Sequence, residues 1–570
     1  MLKDKISGLL DKAVAKVGIR EKVELQQPVN LGHGDYSTNI ALKCSKQLNK
    51  TPLKLAENIV KNIDQNEMLE KTEVVKPGFI NFWLSPKYLL KQLPQIQQAT
   101  DNYGRSSALK NKKIMLEFTD PNPFKEFHIG HLYSNIVGES LSRLFESQGA
   151  NLRRVNYQGD IGLHVAKAIW GIQQQMQQAN VTLQQLKQKK LEEKVAFMGQ
   201  AYALGTTAYE TNKQAKAEIT QLNKQIYDLG PAIKDLYEQA RQWSLDYFET
   251  IYVRLGTKFA AYYFEREVGE KGLELVKQYL NKNIFKQSKG AIIFEGEKYG
   301  LHTRVFINSQ GLPTYETKDL GLAFIKYNDF PSDLSFILTG NEIQEYFKVV
   351  LKVLDLINPK LSEKTQHLTH GMVRLPEGKM SSRTGNVVTG VWLLNQVYKK
   401  ALEKIQQPTK TEAGSTAEKV GTGAVKYALL KHSLGKDIEF RFEESVNLEG
   451  NSGPYLQYTY VRCQSVLGKT SLSTMQQWNN QALEPEELII LRLLIKFPET
   501  VAEASNKYSP SLICNYLFEL AQVFNLFYQK HQILKAKEIS KNFRLMLTLA
   551  VGQVIKNGLY LLGIQTVDKM

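Results

Sequence analysis

Little in this chain points to covalent bracing. Among 570 residues there are three cysteines, Cys44, Cys463 and Cys514, far apart, odd in number and with no Cys-x-x-Cys pair. That excludes a disulfide framework, speaks against a structural zinc site and fits a reducing compartment, so a cytoplasmic chain is expected. No apolar run approaches the ~20 residues of a membrane span, and no membrane partner is expected. The N-terminal stretch MLKDKISGLLDKAVAKVG has no continuous apolar core, and Asp4 and Asp11 break a transit-peptide pattern. Its Leu2, Ile6, Leu9, Leu10, Ala13 and Val17 share one face, as in an ordinary surface helix. No internal repeat is visible. Acidic residues are the scarcer sign, 57 against 73 Lys and Arg, a net charge of +16. A solvated lysine-rich surface accounts for this; so does a polyanionic partner such as nucleic acid.

What is present is enough apolar residue, 42%, for globular cores in a chain too long for one of them, so three domains are expected. Residues 1–105 read as a small α+β domain, with a helix after the turn at GHGDYSTNIALKCSK (32–46) and a strand at VVKPGFINFWLSP (74–86). DNYGRSSALKNKK (101–113) is polar and turn-rich, a linker pattern. Residues 106–395 alternate strand and helix. IMLEFT (114–119) is a buried-type strand, Leu132, Ile136, Val137, Leu141, Leu144 and Phe145 recur at helical spacing up to Gly149, and NLRRVNYQGD is a second strand. That order predicts a doubly wound, Rossmann-type parallel sheet, continued by strands at 291–295, 303–308 and 336–340. A Gln- and Lys-rich helical insertion interrupts it around 172–285. From residue 396 to 570 strand signals almost vanish, and an all-α bundle is expected.

The chemistry concentrates at PNPFKEFHIGHLYSN (121–135), where strand turns into helix. A helix N-terminus offers unpaired N–H groups and partial positive charge to a phosphate. His128 and His131 are three apart, on one side of that first turn, and Gly130 lets a planar ring or phosphate come close. Metal ligation is the rival reading, without an adjacent acidic or Cys ligand to support it. Further on, LPEGKMSSRTGNVV (375–388) offers Lys379 and Arg383 as cations for a triphosphate, or is simply a solvated basic loop.

These two motifs, in this order, resemble the HIGH and KMSKS signatures of class I aminoacyl-tRNA synthetases. LEFTDPNPFKEFHIGHLYSNIVGESLSRLFESQG with VNYQGDIG, YVRLGTKF (252–259), LPTYETKDLGLA (312–323), EGNSGPYLQYTYVRCQSVL (449–467) and NGLYLLGIQTVDKM resemble the arginyl-tRNA synthetases in particular, over nearly the whole chain. The resemblance implies arginine activation by ATP with Mg2+, then transfer to tRNA(Arg), by an enzyme without zinc, haem or flavin, here taken as a monomer. Catalysis would fall to His128, His131 and Lys379. ATP would lie against Pro121, Gly130, both histidines, Lys379, Met380, Ser381 and Arg383. The loop departs from KMSKS in reading KMSSR, with Ser382 in place of the second lysine. Lys125, three residues before His128, is expected to supply the missing charge, with Arg383 the lesser candidate.

For the guanidinium the resemblance implies Glu117, Asn122, Tyr315 and Asp319, with Asn341 or Glu342 beside them. Glu117 sits among apolar neighbours and needs a partner, which a bound guanidinium would be. Asp160 in QGDIG matches a recurrent family Asp and equally suits a turn. The N-terminal domain would meet the tRNA elbow through Asn81 and Phe82, with Phe79 and Ile80 as core. The C-terminal domain would meet the anticodon through Tyr455, Gln457, Tyr458, Tyr460 and Arg462, aromatic faces and a cation for splayed bases. A synthetase for another amino acid, or a tRNA-binding module that has lost catalysis, are the competing readings.

Overall fold

The computed structural model describes residues 2–28, 31–376, 388–405, 409–470 and 482–570. In the N-terminal unit, helix Leu2–Lys16 buries Ile6, Leu10, Ala13 and Val14. That helix packs on helix Pro52–Lys61, which covers a three-stranded antiparallel sheet in the order Tyr36–Thr38, Phe79–Leu84, Leu69–Val75. The stretch expected as one strand is therefore the closing half of a hairpin. Pro77 and Gly78 break the run, and Gly78 has φ +151°, a conformation few side chains tolerate.

The Phe79–Leu84 strand alternates. Ile80, Phe82 and Leu84 are fully buried, while Phe79 is 36% exposed. Period two thus puts Asn81 on the face of Phe79 and Trp83, opposite Phe82. This reverses the expected assignment: Phe82, not Phe79, is core.

The polar stretch after residue 100 is a docked strap, not a loose linker. Helix Pro485–Asn506 contains Pro498, which has no N–H for the carbonyl of Leu494. Tyr103 Oη donates to that carbonyl at 3.0 Å. Nearby, Asn557 Nδ2 donates to Thr100 O at 2.9 Å and Tyr103 O at 3.0 Å.

The central sheet has five parallel strands in the order Thr365–His370, Leu334–Gly340, Lys113–Glu117, Asn151–Gln158, Ala261–Phe264. Numbered along the chain, this is the doubly wound order 3-2-1-4-5. Its direction of winding reverses between Lys113–Glu117 and Leu334–Gly340, so the carboxyl ends of those two strands flank the crevice where such sheets hold ligands. The strands at Ala291–Phe294 and Arg304–Ile307 do not join it. With Lys286–Ser288 they form a separate antiparallel sheet.

Helix Ile129–Ser147 runs from the crevice between the sheet and the C-terminal bundle and is buried on nearly every side. A Cβ at Gly138 would lie 2.2 Å from Phe118 Cγ, so only glycine allows this close approach. Several of its buried polar groups are matched: Ser140 Oγ donates to Leu561 O at 2.9 Å, and Glu139 pairs with Arg143 at 2.6 Å and Arg154 at 2.9 Å. The insertion, helices Leu163–Ala179, Leu191–Thr211, Lys213–Asp228 and Pro231–Leu255, has its own core around Val165, Ile169, Ile219, Ile226 and Trp243. Among the described residues beyond 390 the regular elements are helices apart from Ile438–Glu439, which pairs in parallel with Val373–Arg374 just past the sheet.

Candidate active site

His128 is the N-cap of helix Ile129–Ser147, in extended backbone. Its Nδ1 accepts from Gly130 N at 3.1 Å and His131 N at 3.3 Å, while His131 Nδ1 accepts from His128 N at 3.3 Å. The two rings stack with centroids 3.5 Å apart. A backbone N–H can only donate, so both Nδ1 atoms are bare acceptors and each neutral ring carries its proton on Nε2. Desolvation holds His131 uncharged, well below the ordinary imidazole range, and His128 and Lys125 add to the effect. The same crowding, with Lys125 nearby, lowers His128, although its ring edge reaches solvent.

This changes the expected picture of the helix mouth in two ways. The first-turn N–H groups are not open to a phosphate: Gly130 and His131 donate to His128 Nδ1, and Ile129 N donates to Val388 O at 3.2 Å. And Gly130 makes room for a ring of the protein itself, since a Cβ there would lie 3.0 Å from His128 Nδ1. What the motif offers a ligand is a pair of Nε2–H donors and the helix field. A third imidazole closes the site. His370, at the end of its strand, bonds Gly371 O through Nδ1 at 2.8 Å and lies 4.7 Å, centroid to centroid, from Tyr133.

Pro121 is buried in the turn before the motif, and Lys125 is half-buried there with Nζ 5.7 Å from the Tyr202 ring of the insertion. Burial lowers Lys125 below the usual lysine range, which marks it as an ammonium held in a poorly solvated place. Lys379, Met380, Ser381 and Arg383 lie outside the described residues.

The acidic half of the site is on the other face of the sheet. Glu117, 3% exposed, pairs through Oε2 with Lys326 Nζ at 2.5 Å. The counter-charge expected from a substrate is thus partly met inside the protein. Asp319 accepts from the Tyr346 hydroxyl and is raised to about 8, chiefly by desolvation and then by Glu117 and Glu265. Glu117 and Asp319 therefore lie within electrostatic reach of each other. Asn122 lies against Gly159 and Glu265, because a Cβ at residue 159 would meet Asn122 Oδ1 at 2.3 Å and Glu265 Oε1 at 2.8 Å. Glu265 is held by Lys318 Nζ at 2.6 Å, and that ammonium lies 5.0 Å from the ring of Tyr315, itself 57% exposed at the mouth. Asn341 opens the short turn after Leu334–Gly340, beside Glu342, which is close enough to influence His370. Asp160 is structural: it takes Arg241 Nε at 3.0 Å and Arg266 N at 3.1 Å, tying its turn to the insertion.

A site of this kind, stacked histidines at the switch point beside a carboxylate-rich cavity, has relatives. Residues 92–442 match the family model described as tRNA synthetases class I (R), catalytic domain; residues 1–84 match the arginyl tRNA synthetase N terminal domain and 456–570 the DALR anticodon binding domain. The chain belongs to the class I arginyl-tRNA synthetases. The arginine–tRNA ligase of Treponema denticola is 29% identical, with 100% of this chain and 98% of that protein covered, and that of Clostridium acetobutylicum 31%, with 96% of each. Among solved structures, the Thermus thermophilus arginyl-tRNA synthetase superposes with TM-score 0.83 at 22% identity and the Plasmodium falciparum enzyme with 0.81 at 21%. The first covers 100% of both chains, the second 100% of this one and 99% of its own. A member of this family is an aminoacyl-tRNA ligase. No helix among the described residues is long and apolar enough to cross a membrane.

Of the residues a synthetase of this family would turn to tRNA, several are occupied by the fold. Asn81 is 3% exposed and accepts from Ser37 Oγ at 2.7 Å, while Phe82 is wholly buried. Gln457 is wholly buried and donates to Gln565 O at 2.7 Å and Lys419 O at 3.2 Å. Tyr455 is core, its hydroxyl accepting from Asn525 Nδ2 at 2.9 Å. Tyr458 and Arg462 remain near the surface. The Arg462 guanidinium stands 4.9 Å from the Tyr458 ring and 4.8 Å from that of Tyr528. Sequence reasoning missed Tyr528, 40% exposed, because it lies on another helix. It also missed Lys326, although that residue is seven after Asp319, two turns along one helix.

Proposed function

We infer that this chain ligates arginine to tRNA(Arg) through an arginyl-adenylate. The arginine carboxylate attacks the α-phosphorus of ATP, pyrophosphate leaves, and a ribose hydroxyl of the tRNA 3′ end then attacks the activated carbonyl and releases AMP. The substrate supplies the nucleophile, so the protein has to position the reactants and stabilise charge on phosphate. His128 and His131 do this as neutral Nε2–H donors. Lys125 supplies the cation that Ser382 does not, and Lys379 the mobile one, with Pro121, Gly130, Met380, Ser381 and Arg383 completing the ATP seat. Mg2+ would arrive on the triphosphate. Among the described residues no group of three His, Cys, Asp or Glu side chains is placed to hold a metal ion, and no step is assigned to it.

Asp319, with Glu117, Asn122, Tyr315 and Asn341, holds the arginine side chain. Residues 1–105 serve the tRNA elbow, 106–395 the chemistry and 396–570 the anticodon, in a cytoplasmic monomer. The face carrying Phe79 and Trp83, and the Tyr458–Arg462–Tyr528 cluster, are the surfaces offered to tRNA. The observation that carries this reading is the meeting, at one switch point, of the paired imidazoles and the Asp319 cavity in a chain of this family. Charging of tRNA with arginine against lysine and citrulline tests it: arginine alone should be esterified, and lysine charging at a comparable rate would overturn it.

A further inference from the structure

An α-helix leaves the carbonyls of its last turn without donors of its own. Two helices end this way at one junction. The last helix of the insertion, Pro231–Leu255, offers the carbonyls of Leu255 and Gly256, and the C-terminal helix Glu538–Leu561 offers those of Tyr560, Leu561 and Gly563. Side chains of other helices take them. From the paired-histidine helix, Ser140 Oγ donates to Leu561 O at 2.9 Å, Arg143 Nη1 to Tyr560 O at 3.0 Å and Arg143 Nη2 to Gly256 O at 3.3 Å. From helix Lys410–Leu430 of the bundle, Lys426 Nζ donates to Leu255 O at 2.6 Å and to Gly563 O.

Lys426 is 4% exposed, and among the described residues it forms no ion pair. Its counter-charge is the partial negative charge where the two helices end. Glu139, the acid whose charge reaches it, is already held by Arg143 and Arg154. Burial pulls the Lys426 ammonium down to about 7, with Arg143 adding to this and Glu139 opposing it. An apolar side chain would fill the same space without the desolvation penalty. It would not join the end of the insertion to the end of the C-terminal helix. Lys426 bonds both ends, and these are the same two ends that hold Arg143.

The paired-histidine helix carries that hold to the active site. It is buried on nearly every side, and at 1.5 Å per residue Ser140 and Arg143 stand about 18 and 22 Å along it from His128. We propose that Lys426 is a positioning residue for the paired histidines. By locking two helix ends together it fixes the frame from which Ser140 and Arg143 set where the helix, and so both imidazoles, stand. Lys426 itself touches no substrate. The proposal rests on the reading of the imidazoles as phosphate donors, and it makes the helical bundle part of the catalytic unit. Arg254 supplies a contrast. It pairs with Glu418 at 2.6 Å and donates to Asn395 at 2.7 Å, so it too joins insertion to bundle, but it bonds nothing on the paired-histidine helix.

The test compares Lys426→Met with Arg254→Met in the full chain. Both lose a contact between insertion and bundle, so both should melt below the wild type, but only the first frees the helix. In arginine-dependent ATP–pyrophosphate exchange, Lys426→Met should lose about tenfold in kcat, part of the roughly hundredfold that a 1 Å misplacement can cost. Its KM for arginine and for ATP should stay within about twofold, since the lost interaction is one made in the transition state. Arg254→Met should keep the wild-type rate. Nitrogen-15 spectra of the histidine-labelled chain should show the Nε2 signals of His128 and His131 moved in Lys426→Met and unmoved in Arg254→Met. Ser140→Ala, which removes only the bond to Leu561 O, should move the same signals with a smaller loss of kcat, and it decides the matter if Lys426→Met does not fold. Unmoved histidine signals in Lys426→Met or Ser140→Ala would overturn the proposal. So would a Lys426→Met kcat within about twofold of wild type, or an equal loss in Arg254→Met. Wild-type exchange by His128→Asn would instead overturn the role given to the imidazoles.

Discussion

Replacing His128 by asparagine separates its two tasks. As N-cap, His128 Nδ1 accepts from Gly130 N and His131 N. Asparagine is among the preferred N-caps, and its Oδ1 can take the same two donors, so the helix start should hold. Alanine would forfeit the cap, at about 1 kcal/mol. Neither replacement restores Nε2–H. Loss of one donor aimed at developing phosphate charge costs about 3 to 4 kcal/mol, or 10²- to 10³-fold in kcat. The assay is arginine-dependent ATP–pyrophosphate exchange beside thermal unfolding. His128→Asn should melt near the wild-type temperature while its exchange rate falls by that factor. His128→Ala should lose the same activity and some stability as well. Exchange by His128→Asn within about threefold of wild type would refute the assignment of Nε2–H to the phosphates.

Arginine affinity should depend on pH through Asp319. Its carboxyl is raised to about 8 in the ligand-free cavity, so at lower pH a proton must leave before a guanidinium can pair with it. The arginine dissociation constant, by titration calorimetry, should fall by up to about tenfold per unit from pH 6 to 8 and level off above, and Asp319→Asn should abolish that slope. Lys326→Met strands the buried Glu117 carboxylate and should destabilise the chain by about 3 to 5 kcal/mol in denaturant melts, with Glu117→Gln added in the same chain restoring much of it. Histidines 131, 164 and 370 are buried and shifted down, so their unfolded forms take up protons that the folded forms refuse. Stability should therefore be lost as pH falls below about 6.5, each ring adding up to about 1.4 kcal/mol per pH unit, and the three His→Gln changes together should flatten that limb. If the basic surface serves tRNA, log affinity should fall against log salt with a slope of about −0.9 per duplex phosphate contact, and a flat profile would leave the +16 charge without that role.

Much of the doubly wound core was legible because its signals are local. Ile114–Leu116 is an apolar run too short for a helix, Leu132 to Phe145 keeps helical spacing, and both histidines sit where one becomes the other. Strand partnership is not local. Ala291–Phe294 and Arg304–Ile307 read as strands and are strands, yet nothing in their composition says that they pair with Lys286–Ser288 and not with the main sheet. The same limit governs the site. Composition suggests that Glu117 needs a cation, but the tertiary fold supplies Lys326 from 209 residues away. Imidazoles three apart suggest a ligand, but which ring nitrogens face backbone N–H groups depends on the cap geometry. The aromatic cluster was half legible. Tyr455 and Tyr458 look alike in sequence, and only packing against Asn525 decides that Tyr455 is core. At the other end of the chain, strand alternation sets Phe79 and Phe82 on opposite faces without saying which face is inside, and packing reverses the expectation that Phe79 is core.

The central claim is that two stacked, uncharged imidazoles hold their lone pairs on the helix backbone and turn their Nε2–H groups to the phosphates. Nitrogen-15 spectra of the histidine-labelled chain, with His128 and His131 assigned by substitution and a non-hydrolysable arginyl-adenylate analogue bound, measure this directly. At neutral pH both rings should show a protonated Nε2 and an unprotonated, hydrogen-bonded Nδ1, with the Nε2 signals moved by the analogue. An imidazolium on either ring, or a proton on either Nδ1, would contradict it.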